Sequence, residues 1–305
     1  MSTTSNDLLA DRRFAWATAL AQGGDHAAAA DLLEQVIALV PAWAPAWAAL
    51  AEARERDGRP GEAAEAWRRV AGIDPGGVFG AEMNLARLDG RTSPTLSEAY
   101  VRALFDDYAP RFDRHLVGTL GYRGPAILKE ALDRLAPGGV FARALDLGCG
   151  TGLMAAALQG RAVAIDGVDL SAAMVQQARH TGRYAALTVG SLDAALAASP
   201  AAGYDLVTAA DVFVYIGNLA PVLAGVFRAL ARGGLLAFTV QTPSTPGGGP
   251  PAYALGPDLR FAHAPGYIEA ALEAAGLQLL LLEAASIRTE RGGGVPGLVA
   301  VASKA

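Results

Sequence analysis

The sequence predicts an α/β domain with a mostly parallel sheet, preceded by a small all-α domain. Three observations carry this reading. The first third repeats itself at a fixed spacing. From about residue 97 strand and helix patterns alternate. A glycine-rich turn, "ALDLGCGTGLMA" at 144–155, sits between a strand and a helix. At 305 residues the chain is long for one domain. The stretch "LDGRTSPTLSEA" (88–99) carries Gly90, Ser93 and Pro94, then Ser97 ahead of a new helix, so the expected division is 1–92 and 93–305.

The repeat pairs "GGDHAAAADLLEQVIALVP" (23–41) with "DGRPGEAAEAWRRVAGIDP" (57–75). Gly24 matches Gly58, Ala29 matches Ala63, Leu33 matches Trp67 and Pro41 matches Pro75, each 34 residues apart. Paired alanines let two helices approach closely, with Trp16, Leu50 and Trp67 expected to fill the space between. A proline cannot continue a helix, so Pro41 and Pro75 close the second helix of each pair. Over 12–75 the segment resembles the tetratricopeptide repeats, which share this period, with a further helix at 78–88. A plain helical cap is the rival reading. Two repeats bury little continuous core, so the unit is expected to lean on the rest of the chain, a second copy or a protein partner.

Beyond the boundary two helices come first (97–116 and 124–136). Then strands at 142–147, 164–169, 184–189, 204–210 and 234–241 alternate with helices at 152–159, 171–180, 192–198, 219–231 and 265–275. Such alternation implies right-handed crossovers, which place every strand's C-terminal end on one edge of the sheet. The last two strands, 277–283 and 296–302, have no helix between them and form an antiparallel hairpin.

Composition excludes several classes. The net charge is −5, and both halves carry more acidic than basic residues, 13 to 9 before residue 94 and 17 to 16 after, which does not suit a nucleic-acid binder. No apolar run is long enough to span a membrane. The first residues lack a signal-peptide pattern, and the single cysteine, Cys149, permits no internal disulfide, so a cytoplasmic protein is expected. No Cys/His cluster has metal-ligand spacing, so no metal is expected.

Three glycines, Gly148, Gly150 and Gly152, recur at every second position after Asp146. Glycine here signals a sharp turn or a ligand brought close to backbone beneath a helix N-terminus. A dinucleotide fold would show G-x-G-x-x-G, one residue longer. The D-x-G-x-G-x-G pattern, the two preceding helices and the closing hairpin resemble the class I S-adenosylmethionine-dependent methyltransferases, with their Rossmann-like sheet, over 97–305. The stretches "FDDYAPRFDRHLVGTLGYRGP", "ADVFVYIGNL" and "LRFAHAPGYIEAALEAAGL", with repeats in front, narrow this to the bacterial methyltransferases predicted to carry tetratricopeptide repeats.

The resemblance implies S-adenosylmethionine as cofactor and assigns roles. Asp146, Gly148, Cys149, Gly150 and Gly152 would border its amino-acid end. Asp169, at the end of "IDGVDL", would take the ribose hydroxyls, with Leu170 and Met174 flanking the adenine. The rival reading of Asp169 is a helix-capping acid. Ser191 stands where the family often has an acid, Leu192 offers its backbone N–H, and Asp193 is a substitute acceptor. Asp211 and Tyr215 sit at the strand end expected to face the methyl group, whereas Asp166 reads as a turn residue and Asn218 as a helix cap. Tyr108, Phe112 and Tyr122 are candidates for a lid. Cys149 reads as a small buried filler, with a nucleophile as the alternative.

The long connection 241–265 follows the strand nearest the expected acceptor, and connections of this length are commonly functional. His263 is its candidate base, having an imidazole that titrates near neutral pH, with Asp211 and Tyr215 the other catalytic candidates; a helix-start residue is the alternative for His263. The expected activity is methyl transfer to an oxygen or nitrogen of a small molecule. The alternatives are a protein methyltransferase whose repeats capture its substrate, a non-enzymatic cofactor-binding scaffold, and a dehydrogenase.

Overall fold

The computed structural model describes residues 4–91, 95–114, 121–243, 252–256, 258–290 and 293–305. Residues 92–94 of the expected boundary, His115, and residues 244–251 of the long connection lie outside them. The chain separates into two compact units, Met1–Ser93 and Pro94–Ala305.

Among its described residues the first unit holds five helices, each packed on the one before: α1 (Leu8–Gln22), α2 (His26–Leu39), α3 (Ala44–Arg56), α4 (Pro60–Ile73) and α5 (Ala81–Leu88). Helices α2 and α4 start and end at the same 34-residue offset as the sequence match. Gly24 and Gly58 precede them with φ of +89° and +77° and with open space where a Cβ would stand, so the backbone conformation alone demands glycine there. Ala29, Ala63, Leu33 and Trp67 are buried at the helix contacts. Trp16 departs from expectation. It is 66% exposed, and the interhelical space is filled instead by the Phe14–Trp43 ring pair, 4.7 Å apart.

The second unit begins with α6 (Glu98–Tyr108) and α7 (Gly124–Leu135) and then alternates. The order is β1 (Phe141–Leu147), α8 (Leu153–Ala157), β2 (Ala162–Asp169), α9 (Ala172–His180), β3 (Ala186–Val189), α10 (Leu192–Ala198), β4 (Tyr204–Ala209), α11 (Ala220–Ala229), β5 (Leu230–Gln241), β6 (Tyr253–Leu255), β7 (Phe261–His263), α12 (Pro265–Ala274), β8 (Leu277–Glu290) and β9 (Gly293–Lys304). Strands run β3-β2-β1-β4-β5 in parallel, after which β9 pairs antiparallel with β5 and β8 with β9. Strand order reverses between β1 and β4, and at such a point the crossovers diverge and leave a crevice at the strand ends. Apolar side chains alternate along the strands into two cores, Leu145, Leu147, Val207 and Phe238 in one, Ala144, Leu206, Ala237 and Val301 in the other.

Four local expectations are corrected. The helix expected over 219–231 stops at Ala229, because Leu230 already pairs with Tyr204 in the sheet. The terminal hairpin is longer than its apolar runs, since the mostly polar residues 286–290 continue β8. The long connection contains an antiparallel pair, β6 with β7, that touches the tip of β5 at Gln241. Asp166 is not a turn residue: it lies within β2, buried, accepting from Tyr204 Oη at 3.0 Å and paired with Arg143 at 2.7 Å.

Candidate active site

A cavity of about 400 Å³ opens at the reversal point. Its floor is Gly148 and Gly150 after β1, and Ala210, Asp211 and Val212 after β4. One side carries Asp169, Leu170, Ser191 and Leu192, and α6 supplies Val101, Leu104, Phe105 and Tyr108 as a cover. A smaller pocket of about 40 Å³ lies beside it and shares Gly148, Gly150, Phe112, Tyr122 and Ala210; Asp146 and Cys149 border this one.

The glycines answer to different demands. A Cβ on Gly148 would stand 2.4 Å from Val212 Cγ2, and its φ is +64°. Gly150, φ +51°, has nothing nearer than Phe112 at 4.0 Å, so its bare backbone faces open space. Gly152 is outside the cavity; it is packed against Tyr184 and Thr181, with φ +98°, and serves the start of α8. Asp169 ties the turn to the next strand end, for Oδ2 accepts from Gly150 N–H and Oδ1 from Ser171 N–H, each at 2.9 Å. Burial raises its carboxyl above the ordinary range, and these two N–H donors oppose the rise. A carboxylate has about four acceptor sites, so hydroxyls of a ligand find room on the same group.

The cover is held from the same side. Asp106 accepts from Ser171 Oγ at 2.5 Å, Arg102 Nε donates to Leu170 O at 3.3 Å, and Gln177 donates to Ala109 O at 3.0 Å. The rings of Phe105, Tyr108, Phe112 and Tyr215 meet edge to face, so the sequence candidates Tyr108 and Phe112 belong to one aromatic layer over the cavity. Ser191 lines the wall and caps α10 by accepting from Ala194 N–H at 3.3 Å.

Other sequence candidates stand elsewhere. Met174 is fully buried beneath the first turn of α9 and does not line the cavity. Cys149 is buried, and burial pushes its thiol up, so it stays protonated and acts as packing rather than as a nucleophile. Asp211 lines the cavity, but its carboxylate accepts from Arg288 Nη1 at 3.1 and 3.2 Å, which opposes service as a base. Tyr215 lines the cavity with its phenol raised by burial, so it is a neutral hydrogen-bonding group.

His263 is the largest correction. It is fully buried away from the cavity, with Nε2 2.9 Å from Ile216 O and 3.2 Å from Gly217 O, and its ring stacks on Tyr267. Burial lowers its pKa to about 4. It anchors the turn after β4 as a neutral donor. His263→Ala is therefore expected to lower stability by about 2–4 kcal/mol while each folded molecule keeps its ligand affinity. Thermal melts and titration stoichiometry check this, and an unchanged melting temperature would contradict it.

Asp146 is buried, accepting from Tyr184 Oη at 2.7 Å and Thr208 Oγ1 at 3.0 Å. Burial lifts its carboxyl to about 7, against the lowering effect of the two hydroxyls. A raised carboxyl favours the protonated folded chain. Its contribution is therefore complete below about pH 4 and is lost as the pH climbs through about 7. Asp146→Asn is expected to gain in melting temperature relative to the unsubstituted chain between those limits. A difference that stays flat with pH would rule this out.

Sequence reasoning missed Asp106, Tyr184 and Arg288. The first two lie in segments whose pattern says helix or strand and nothing of reach. Arg288 lies beyond the point where the apolar pattern of β8 ends. Among the described residues no group of acids, histidines and cysteines has metal-binding geometry, and no helix is long and apolar enough to cross a membrane.

A family model described as a methyltransferase domain matches residues 145–236. Human methyltransferase-like protein 27 is 37% identical over 105 residues, 34% of this chain and 42% of that protein. The malonyl-[acyl-carrier protein] O-methyltransferase of Enterobacter lignolyticus is 30% identical over 146 residues, 48% of this chain and 55% of that protein. The chain thus spans about half the length of these curated relatives. Two solved structures share the fold. A Leishmania major S-adenosylmethionine-dependent methyltransferase has TM-score 0.55 at 14% identity, covering 69% of this chain and 85% of its own. Burkholderia thailandensis 1,6-didemethyltoxoflavin-N1-methyltransferase, solved with S-adenosylhomocysteine, has TM-score 0.52 at 18% identity, covering 70% and 91%.

Proposed function

We propose that this chain, which carries a class I S-adenosylmethionine-dependent methyltransferase domain, moves the cofactor's methyl group to an oxygen or nitrogen of a small-molecule acceptor. One observation carries the reading: Asp169, on one side of the larger cavity, meets the bare backbone of Gly150 at its floor. Its volume, about 400 Å³, is within the range of small-molecule sites. The likeness to a malonyl-[acyl-carrier protein] O-methyltransferase favours oxygen as the accepting atom.

The residues present suit this cofactor. Asp169 would hold the ribose hydroxyls, Leu170 and Leu192 the faces of the adenine, Ser191 its polar edge, and the turn 148–150 the amino-acid end. When bound, the cofactor supplies an electrophilic methyl on a sulfonium. The chain's own work is alignment and exclusion of water. The aromatic layer of Phe105, Tyr108, Phe112 and Tyr215 dries the space above the floor. Tyr215 stays protonated and orients an acceptor by hydrogen bonding.

The first unit belongs to the same reading as a tetratricopeptide-like module, supported by the equal offset of α2 and α4. The test is calorimetric titration of the full chain with S-adenosylhomocysteine and with NADH, followed by incubation with metabolite extract and methyl-labelled cofactor. Binding of S-adenosylhomocysteine and label in a small molecule are expected. NADH binding alone would end the reading, and label confined to protein would move the acceptor to a polypeptide.

A further inference from the structure

The terminal hairpin reaches a residue of the cavity floor, Asp211, from behind. Strands β8 and β9 shift register first between Leu279 and Leu281 and again near the hairpin end, where Ser286 opposes Pro296 but Thr289 opposes Gly294, so β8 carries one residue too many there. Such a bulge turns a side chain that the regular pleat would aim elsewhere. The residues in it are Ile287 and Arg288. Ile287 O accepts from Arg123 N–H at 2.8 Å, which ties in the segment bearing Tyr122. Arg288 is 1% exposed, and its guanidinium donates to both oxygens of Asp211 and, at 3.3 Å, to Gln241 Oε1.

Among the residues that line the cavity, Asp211 is the one that needs holding. It is not glycine, yet its φ is +59°. Residues in that region persist only when their surroundings over-determine them, and they gather at functional sites. Two anchors do so here: its N–H donates to the buried Thr239 Oγ1 at 2.9 Å, and its carboxylate is gripped by Arg288. The next residue, Val212, is the one that crowds Gly148. Arg288 thus sets, through Asp211, the wall opposite the first glycine of the turn.

We propose that Arg288 is a positioning residue: delivered by the bulge in β8, it fixes Asp211 and Val212 as the wall beside the amino-acid end of the cofactor. This rests on the cofactor reading above. The adenosine end lies across the cavity at Asp169, Leu170, Ser191 and Leu192, and Arg288 touches none of these. The effect of losing Arg288 is therefore confined to ligands that possess the amino-acid group.

The test titrates the full chain with S-adenosylhomocysteine and with 5′-methylthioadenosine, which keeps the nucleoside and lacks the amino acid. Arg288→Lys keeps the charge and loses the planar fork. Asp211→Asn with Arg288→Met removes both charges together and so avoids a lone buried carboxylate. Both variants are expected to bind S-adenosylhomocysteine about tenfold more weakly, the scale of one charged hydrogen bond, with methylthioadenosine unchanged and stoichiometry near that of the parent. Equal weakening of both ligands, or lower stoichiometry with unaltered constants, would assign Arg288 to folding alone and overturn the proposal. So would unchanged binding of S-adenosylhomocysteine. Failure of the parent chain to bind either ligand would instead sink the cofactor reading.

Discussion

Asp169→Ala is expected to weaken S-adenosylhomocysteine binding by at least about 100-fold, because one side chain serves three purposes. Its two oxygens accept the N–H groups of Gly150 and Ser171, and its free lone pairs face the cavity. Removing it releases the second glycine of the turn from the end of β2 and leaves Gly150 N–H without its acceptor. It also deletes the only acceptor proposed for the ribose. Hydrogen bonds to a charged group contribute about 1.5–3 kcal/mol each, so two ligand hydroxyls account for that loss without any unfolding. Asp169→Asn retains one acceptor oxygen and should fall between. Calorimetry measures both. An alanine variant with the parent's affinity would separate Asp169 from the cofactor and leave it a helix-start residue.

Gly148→Ala is expected to cost stability and affinity together. The new Cβ would stand 2.4 and 2.9 Å from the two methyl groups of Val212, distances that no relaxed contact shows. The φ of +64° adds strain of about 1–2 kcal/mol for any L-residue with a side chain. Either Val212 moves, opening the cavity floor, or the turn does, breaking Gly150 away from Asp169. An expected destabilisation of about 3 kcal/mol or more is readable as a lowered melting midpoint, with a parallel loss of ligand binding. Pairing it with Val212→Ala removes the two methyl contacts, leaves Cβ of residue 212 at 3.3 Å and keeps the φ strain, so the double variant should recover part of the loss. If Gly148→Ala alone melts and binds like the parent, the close approach of Val212 is not what requires glycine.

The contrast between Asp169 and His263 shows where sequence reading holds. Asp169 ends a strand whose apolar pattern is unmistakable, and crossover handedness then puts it at the sheet edge with Gly148 and Gly150. Position in the chain implies position in space, and all three line the cavity. His263 has the chemistry of a base, with nothing local to say where its ring points. It lies in a three-residue strand, β7, whose partner β6 carries no distinguishing pattern. Its ring turned inward to two carbonyls because the turn at Ile216 and Gly217 needed a donor. Met174 fails for a related reason: helix periodicity marks it as apolar but cannot choose between the cavity and the core under α9.

The alternation of elements, the strand ends that gather at one edge, and the glycines whose conformations no other residue adopts at low cost are legible in the unfolded chain. These follow from short-range rules, namely side-chain periodicity, missing Cβ atoms and the handedness of crossovers. That Arg288 reaches Asp211 across 77 positions, that Asp106 supports Ser171 across 65, and that Tyr184 reaches under the turn to Asp146 emerges only on folding. Each is one hydrogen-bonding side chain meeting another from a distant part of the chain. No local pattern encodes such a meeting, because its geometry exists only once the sheet has closed.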